Sequence, residues 1–298
     1  MTPSRPVLIA GPTASGKSAL ALALAERDGG VVINADALQV YACWRVLTAR
    51  PSDTDLARAP HRLYGHVPCD APYSVGAWLA DATAALAEAR ALGLRPIVVG
   101  GTGLYFEALT RGLAVIPPTP PEIRARAMAR HADGGRAALE ADLARDDPET
   151  LAGLDRRNPM RLMRAWEVFA ATGRGLASWR REPAAPVLPL GDAEPAVIEV
   201  ENMHLVHDIR QRIDKMIEGG ALDECRHFLA AGHDLAAPSG RAIGAAELVA
   251  HLEGRIDLDE ARNAMAIATR RYAKRQRSWF RNRMADWPRL TARALDRL

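Results

Sequence analysis

Cysteine is scarce in this chain, with only Cys43, Cys69 and Cys225 among 298 residues and no C-x-x-C spacing between them. That count and spacing argue against a disulfide framework and a cysteine-based zinc module, and they fit a reducing compartment. Long apolar runs are missing too. The one extended candidate, Val7 to Ala25, is interrupted by Pro12, Ser15, Lys17 and Ser18, so it is neither a spanning helix nor a signal-peptide core, and a cytoplasmic location is expected. Charge of one sign is not in excess either: 39 basic residues nearly balance 36 acidic ones. Where the basic residues cluster therefore matters more than their total. His204 and His207 are three apart on a helical pattern, but without a Cys or Asp pattern beside them they read as a solvated surface. No repeat of solenoid or propeller period is present.

The hydrophobic share of 48% and charged share of 25% are those of an ordinary globular chain. Four β-rich runs, VLIA (7 to 10), VVIN (31 to 34), PIVVG (96 to 100) and AVIEV (196 to 200), read as buried strands. Helical patterns separate the first three, and an Ala-rich amphipathic helix over 77 to 92 leads into the third. The fold class expected is α/β, a parallel sheet with helices on both faces. Proline-rich stretches, IPPTPP (116 to 121) and EPAAPVLPLGDAEPA (182 to 196), bracket a segment without a convincing strand. The expected organisation is a core of residues 1–118 and 190–298 with a small helical module, residues 119–189, inserted into it. After AVIEV the pattern is helical to the end.

GPTASGKS, residues 11 to 18, satisfies G-x-x-x-x-G-K-[ST] between a strand and a helix. That context identifies a phosphate-binding loop, here Gly11, Pro12, Thr13, Ala14, Ser15, Gly16, Lys17 and Ser18. The glycines let backbone N–H groups turn inward at a helix N-terminus, Lys17 supplies a point charge, and Ser18 offers a hydroxyl to Mg²⁺. The motif alone does not say whether a phosphoryl group is transferred or phosphates are held while another bond breaks. Asp36, at the end of the second strand, is open to three readings: an Mg²⁺ ligand through water, a general base, or a helix cap. A second glycine-rich turn, VVGGTGLYF (98 to 106), serves either close approach of a ligand or tight packing. The run RRYAKRQRSWFRNR (270 to 283) holds seven basic residues in fourteen and no acid. On a helix Arg270, Lys274, Arg277 and Arg281 line one face, which suits either a solvated surface or a polyanion such as nucleic acid. RRNPMRLMRAWEV (156 to 168) adds a second basic cluster in the inserted module.

Together these segments resemble the bacterial tRNA dimethylallyltransferases. The likeness runs through LIAGPTASGKSALALALAE, INADALQVY, TARPS, PIVVGGTGLYFEALTRGL, NPMRLMRAWEVFAATG, RQRIDKMIEGGALDE, HLEGRIDLDEA and ATRRYAKRQRSWFRN, in the family's order. The resemblance implies a P-loop fold, transfer of a dimethylallyl group from dimethylallyl diphosphate, and an acceptor N6 on the adenosine at position 37 of tRNAs reading codons that begin with uridine. It implies Asp36 as the base, Thr13 on the bridging oxygen of the donor, and Arg212 with Lys17, Ser18 and Mg²⁺ on the departing diphosphate. For tRNA it implies contacts from Asp36, Ala37, Leu38, Gln39, Thr102, Met160, Arg161, Leu162, Met163, Arg164 and the turn RAIGAA with Arg241. Arg270, Lys274 and Arg277 join this set as the basic helix face. Ala245 and Ala246 stand where relatives commonly carry an aromatic and then a basic residue. Neither a zinc-finger extension nor a plastid-type leader is seen, which implies the compact bacterial form, a monomer with no metal site beyond Mg²⁺. A P-loop kinase is the main rival, with a free-nucleotide isopentenyltransferase and a non-catalytic RNA-binding protein behind it.

Overall fold

The computed structural model describes residues 5–200 and 202–291, and of residues 202–204 the backbone alone. The chain divides into two compact units, one of residues 1–110 and 187–298, the other of residues 111–186.

The larger unit is built on β1 (Val7–Ala10), α1 (Lys17–Asp28), β2 (Gly30–Asn34), α2 (Asp53–Arg58), β3 (His61–Arg62), α3 (Val75–Ala91), β4 (Arg95–Gly100) and α4 (Gly103–Arg111). In the smaller unit follow α5 (Pro121–Asp146), α6 (Pro148–Ala152), α7 (Pro159–Thr172) and α8 (Leu176–Arg180). The chain then completes the larger unit with β5 (Glu194–Glu199), α9 (Asn202–Glu218), α10 (Ala221–Ala230), α11 (Ala245–Leu252), α12 (Leu258–Arg283) and β6 (Arg289–Thr291).

All six strands are parallel, in the order β3-β2-β4-β1-β5-β6. Successive residues of a strand face opposite sides, and the two cores follow from that alternation. Leu8, Ala10, Ile33, Val98 and Val197 pack with Trp78 and Leu86 of α3, Phe106 of α4 and Phe280 of α12. Val7, Ile9, Val32, Ile97, Val99 and Ile198 pack with Leu20, Ala21, Leu24 and Ala25 of α1. The α/β class with helices on both faces is thus observed. A third core joins α9 to α12, centred on Trp44, Ile209, Phe228, Leu248 and Met265.

Three expectations need correction. The C-terminal part is not helical throughout, because β6 pairs with β5 from Val197↔Arg289 to Glu199↔Thr291. β3 was not foreseen; two residues beside β2 carry too short a pattern to register. Cys43 and Cys69 form a disulfide, with a Cα–Cα distance of 5.6 Å. The spacing does not show how the backbone joins their loops: Gly65 and Val67 donate to the carbonyls of Gln39 and Val40, and Ala42 to that of Val67, each at 2.9 Å.

The smaller unit packs α5 against α7 through Leu139, Leu143, Leu162, Ala165 and Val168. Gly135 (φ 60) breaks the helical geometry inside α5. Among the described residues no helix is long and apolar enough to cross a membrane.

Candidate active site

The phosphate-type loop leaves β1 at its C-terminal end, where β1 lies between β4 and β5. Ligands of open α/β sheets bind at such carboxyl ends. Gly11 N–H donates to the Gly100 carbonyl at 3.2 Å, fixing the loop's start. Ala14 (φ 60) and Gly16 (φ 77) are left-handed, so the chain curls before α1 begins at Lys17. Gly16 provides no capping side chain, and the N–H groups of a helix's first turn suit an anion. The Ser15 hydroxyl is buried and has no partner among the described residues. Lys17 Nζ donates to the Pro12 carbonyl at 3.1 Å. Burial pushes the Lys17 ammonium down to about 8, with nearby Asp36 opposing that shift and Arg212 adding to it. A strongly desolvated cation, an orphan hydroxyl and an uncapped helix start together make an anion cradle. Ser18 is exposed on the same turn.

Asp36 is held by the turn that follows β2. The fully buried Asn34 accepts from Asp36 N–H at 2.9 Å and donates to the carbonyls of Asp36 and Leu63 at 3.0 and 2.9 Å. Trp78 Nε1 donates to the Asn34 carbonyl at 2.8 Å. Asp36 Oδ1 accepts from Leu38 N–H at 3.0 Å, and Thr102 Oγ1 accepts from Ala37 N–H at 2.9 Å. Among the described residues no salt bridge ties up the carboxylate, and its charge acts on both Lys17 and Arg212. Arg212 comes from α9, donates to the Thr48 carbonyl at 3.4 Å, and is pushed below the usual guanidinium range by burial against the pull of Asp36.

Thr13, Asp36, Thr48, Arg212, Thr269 and Tyr272 line a narrow cleft together with a larger apolar set, Leu38, Leu47, Ile209, Ile213, Met216, Ile243 and Met265. Leu47 and Thr48 are set by Glu224, whose carboxylate accepts the N–H groups of Arg45, Val46 and Leu47 at 2.6, 2.8 and 2.9 Å. The cleft thus brings together the Arg212 cation, the Asp36 carboxylate and a largely hydrocarbon lining, with Lys17 close enough to interact with both charges. Such a lining suits an anionic head joined to a small apolar tail.

The sequence model described as IPP transferase matches residues 39–283, and that described as isopentenyl transferase matches residues 5–67. The chain belongs to the IPP transferase family. It is similar to a tRNA dimethylallyltransferase of Cereibacter sphaeroides, 61% identical over 95% of this chain and 88% of the relative. Among solved structures it is similar to the tRNA isopentenylpyrophosphate transferase of Bacillus halodurans, with a TM-score of 0.67 and 30% identity over 96% of this chain and 89% of the other. A eukaryotic dimethylallyltransferase acting on tRNA gives a TM-score of 0.82 over 97% of this chain and 74% of the other, which at 24% identity speaks for the fold alone.

In this family member, Thr13, Asp36, Leu38 and Arg212 meet in one cleft, with Lys17 close enough to feel Asp36. Gln39 is not part of that lining and donates to the carbonyls of Thr48 and Ala49 at 2.9 Å. Arg241 is exposed, and Ala245 is fully buried while Ala246 is exposed. Arg270 and Lys274 are exposed on α12, and Arg277 is partly buried there. Met160 to Arg164 belong to the smaller unit, where Met160 and Arg161 are exposed and Leu162 is buried in the core. Arg164 donates to Thr119 Oγ1 at 2.6 Å. His207 is exposed, and the side chain of His204 lies outside the described residues.

Gln276 escaped the sequence reading. It is buried, accepts from Thr13 N–H at 2.9 Å and donates to the Gly101 carbonyl at 3.0 Å, so α12 grips both the phosphate loop and the second glycine turn. That turn is now explained: a Cβ on Gly101 would collide with Gln276, and one on Gly103 with Trp279. Gly101 and Gly103 thus admit α12, while Gly100 admits the Ala35 backbone beside it.

Proposed function

We propose that the protein transfers a dimethylallyl group from dimethylallyl diphosphate to N6 of the adenosine at position 37, 3′ of the anticodon, in tRNAs reading codons that begin with uridine. The products are N6-dimethylallyladenosine and diphosphate. The observation that carries this reading is the apolar wall of Leu38, Leu47, Ile213, Met216 and Met265 directly beside the phosphate loop. A phosphoryl-transferring kinase needs phosphate cations and a polar acceptor there and gains nothing from such a wall, so the kinase alternative is not favoured. A branched five-carbon tail does gain from it, at roughly 0.8 kcal/mol per buried methylene.

In the reaction, N6 attacks C1 of the prenyl group as the C1–O bond breaks, and the electron pair departs with the diphosphate. Asp36 takes the N6 proton; its anchored turn keeps the carboxylate in place while that charge changes hands. The Thr13 hydroxyl donates to the bridging oxygen, where negative charge builds. Lys17 and Arg212 neutralise the leaving group. The hard oxygen donors of Ser18 and of the phosphates suit Mg²⁺, which when bound supplies further charge neutralisation. The exposed cations of α12, Arg270 and Lys274, and Arg161 of the smaller unit are the proposed tRNA contacts, with the target base flipped from the anticodon loop.

The deciding experiment supplies labelled dimethylallyl diphosphate and Mg²⁺ with either tRNA or AMP, and in a parallel reaction labelled ATP. Label in tRNA and none in AMP is the expected outcome. Phosphate transfer from ATP without prenyl transfer would overturn the proposal.

A further inference from the structure

Away from the cleft, metal-ligating side chains from three distant stretches converge. Cys43 and Cys69 are joined, Asp70 follows directly, and His233 arrives from the connection between α10 and α11 with its Nδ1 2.8 Å from Asp70 Oδ1. One ligating atom each of Cys69, Asp70 and His233 lies within 4.8 Å of the others. Tetrahedral zinc, with bonds of about 2.0–2.3 Å, sets its ligands about 3.3–3.8 Å apart. The three donors are therefore already gathered at nearly the scale of a coordination shell, and the Cys43 sulfur adjoins that of Cys69.

The surroundings hold these groups in place. Ser239 is fully buried, its Oγ lies 3.3 Å from Cys69 Sγ, and its carbonyl accepts from Trp44 Nε1 at 2.8 Å. Trp44 stacks on Phe228 at 4.6 Å between ring centroids, and Phe228 packs against the His233 ring at 5.2 Å. The side chain of Asp70 is 70% exposed, so an isolated His233–Asp70 ion pair contributes little to stability. Solvent reaches the cluster on the Asp70 side, while the Cys69 end is buried.

We propose that Cys43, Cys69, Asp70 and His233 form a redox-gated site for a thiophilic divalent cation, with zinc the expected occupant of the reduced chain. A dithiol reductant supplies two electrons and two protons to the Cys43–Cys69 bond, giving two thiols and the reductant's own disulfide. Zinc then binds the two sulfurs as thiolates, releasing their two protons, and takes one imidazole nitrogen and one carboxylate oxygen as its remaining ligands. In the reverse direction a small-molecule disulfide accepts two electrons from the thiolates, the protein disulfide re-forms, and zinc leaves. Cys43 lies between the Asp36 turn and Leu47 of the cleft wall, so either crosslink staples the same loop.

The test uses the full chain reduced with a phosphine, set against the oxidised chain. Bound metal is measured by elemental analysis, thiols are counted with a chromogenic reagent, and Co²⁺ serves as a spectroscopic stand-in for zinc. Expected are one zinc per reduced chain, none in the oxidised chain, and a sulfur-to-cobalt charge-transfer band in the near ultraviolet. Zinc should shield two thiols and leave Cys225 as it was. Cys225 is buried, with its thiol pushed up to about 12 mainly by desolvation. His233→Ala, at a partly exposed position, and Cys69→Ser should each weaken zinc binding about tenfold or more. A reduced chain that binds no zinc, or binds it equally well in His233→Ala with its fold intact by circular dichroism, overturns the proposal.

Discussion

Asp36 owes its orientation to neutral backbone and amide groups, and that separates its chemistry from its architecture. Asparagine at this position keeps an oxygen for the Leu38 N–H while losing the ability to take a proton and the charge that acts on Lys17 and Arg212. Asp36→Asn should therefore lower kcat by about 10²–10⁴ while tRNA affinity, measured by filter binding, stays near the parent value. A matching collapse of tRNA affinity would remove the residue from the role of base. Lys17 presents the opposite case, a group whose function opposes stability. Its ammonium titrates near 10.5 when solvated and about 8 in the folded chain, chiefly because of burial. Below pH 8 both states carry the charge, so folding bears the full desolvation. Between pH 8 and 10.5 the folded state releases its proton first, and stability rises with pH. Lys17→Met should accordingly raise Tm at pH 7 and abolish diphosphate binding. Its advantage over the parent in thermal melts should shrink as pH approaches 10. A lower Tm at pH 7 would show that the desolvation argument fails.

At the scale of elements, α12 does two jobs on two faces. Thr269, Ala273, Gln276 and Phe280 form its buried stripe, and Arg270 and Lys274 lie outside it. Gln276→Met keeps most of the volume but leaves the Thr13 N–H and the Gly101 carbonyl without partners, at about 1–3 kcal/mol for each buried orphan. Steady-state kinetics should show the donor KM rising by about tenfold or more with the tRNA KM unchanged, since the damage falls on the phosphate loop. On the outer face, Arg270→Gln with Lys274→Gln should flatten the log–log salt dependence of tRNA binding by about 1.4–1.8, one phosphate contact each. An unchanged slope would make that face a solvated surface. The same helix shows what the sequence could and could not disclose. The phosphate loop and β1, β2 and β4 were legible because their side chains meet in order along the chain, as an apolar run followed by glycine, lysine and serine. Gln276 was not, because a polar residue in a basic run looks like surface; the 269, 273, 276, 280 spacing was the one signal of its burial. Glu224 and the Cys43–Cys69 pair depend on loops that meet only in three dimensions, and β6 is three residues whose pairing is supplied by β5. The role of the second glycine turn emerged only when α12 filled the space beside it.

For the whole molecule, the question is what the smaller unit contributes, and the chain path makes that separable. Leu188 N–H donates to the Leu109 carbonyl at 3.1 Å, so the two points where the larger unit gives up and resumes the chain are neighbours. The smaller unit has its own apolar core around Leu139, Leu143, Leu162 and Val168. Every residue of the prenyl cleft and the phosphate loop lies outside it. Replacing residues 111–186 with a short Gly/Ser linker therefore removes no side chain from the proposed chemistry and closes a gap that neighbouring backbone already spans. The shortened chain should unfold in one cooperative transition and bind dimethylallyl diphosphate as the parent does by calorimetry. It should lose tRNA affinity, with a shallower salt dependence because Arg161 and Arg164 have gone. Parent-like tRNA binding would strip the smaller unit of its role in gripping the substrate. Lost donor binding in a chain that still folds would show that the cleft depends on more than the larger unit.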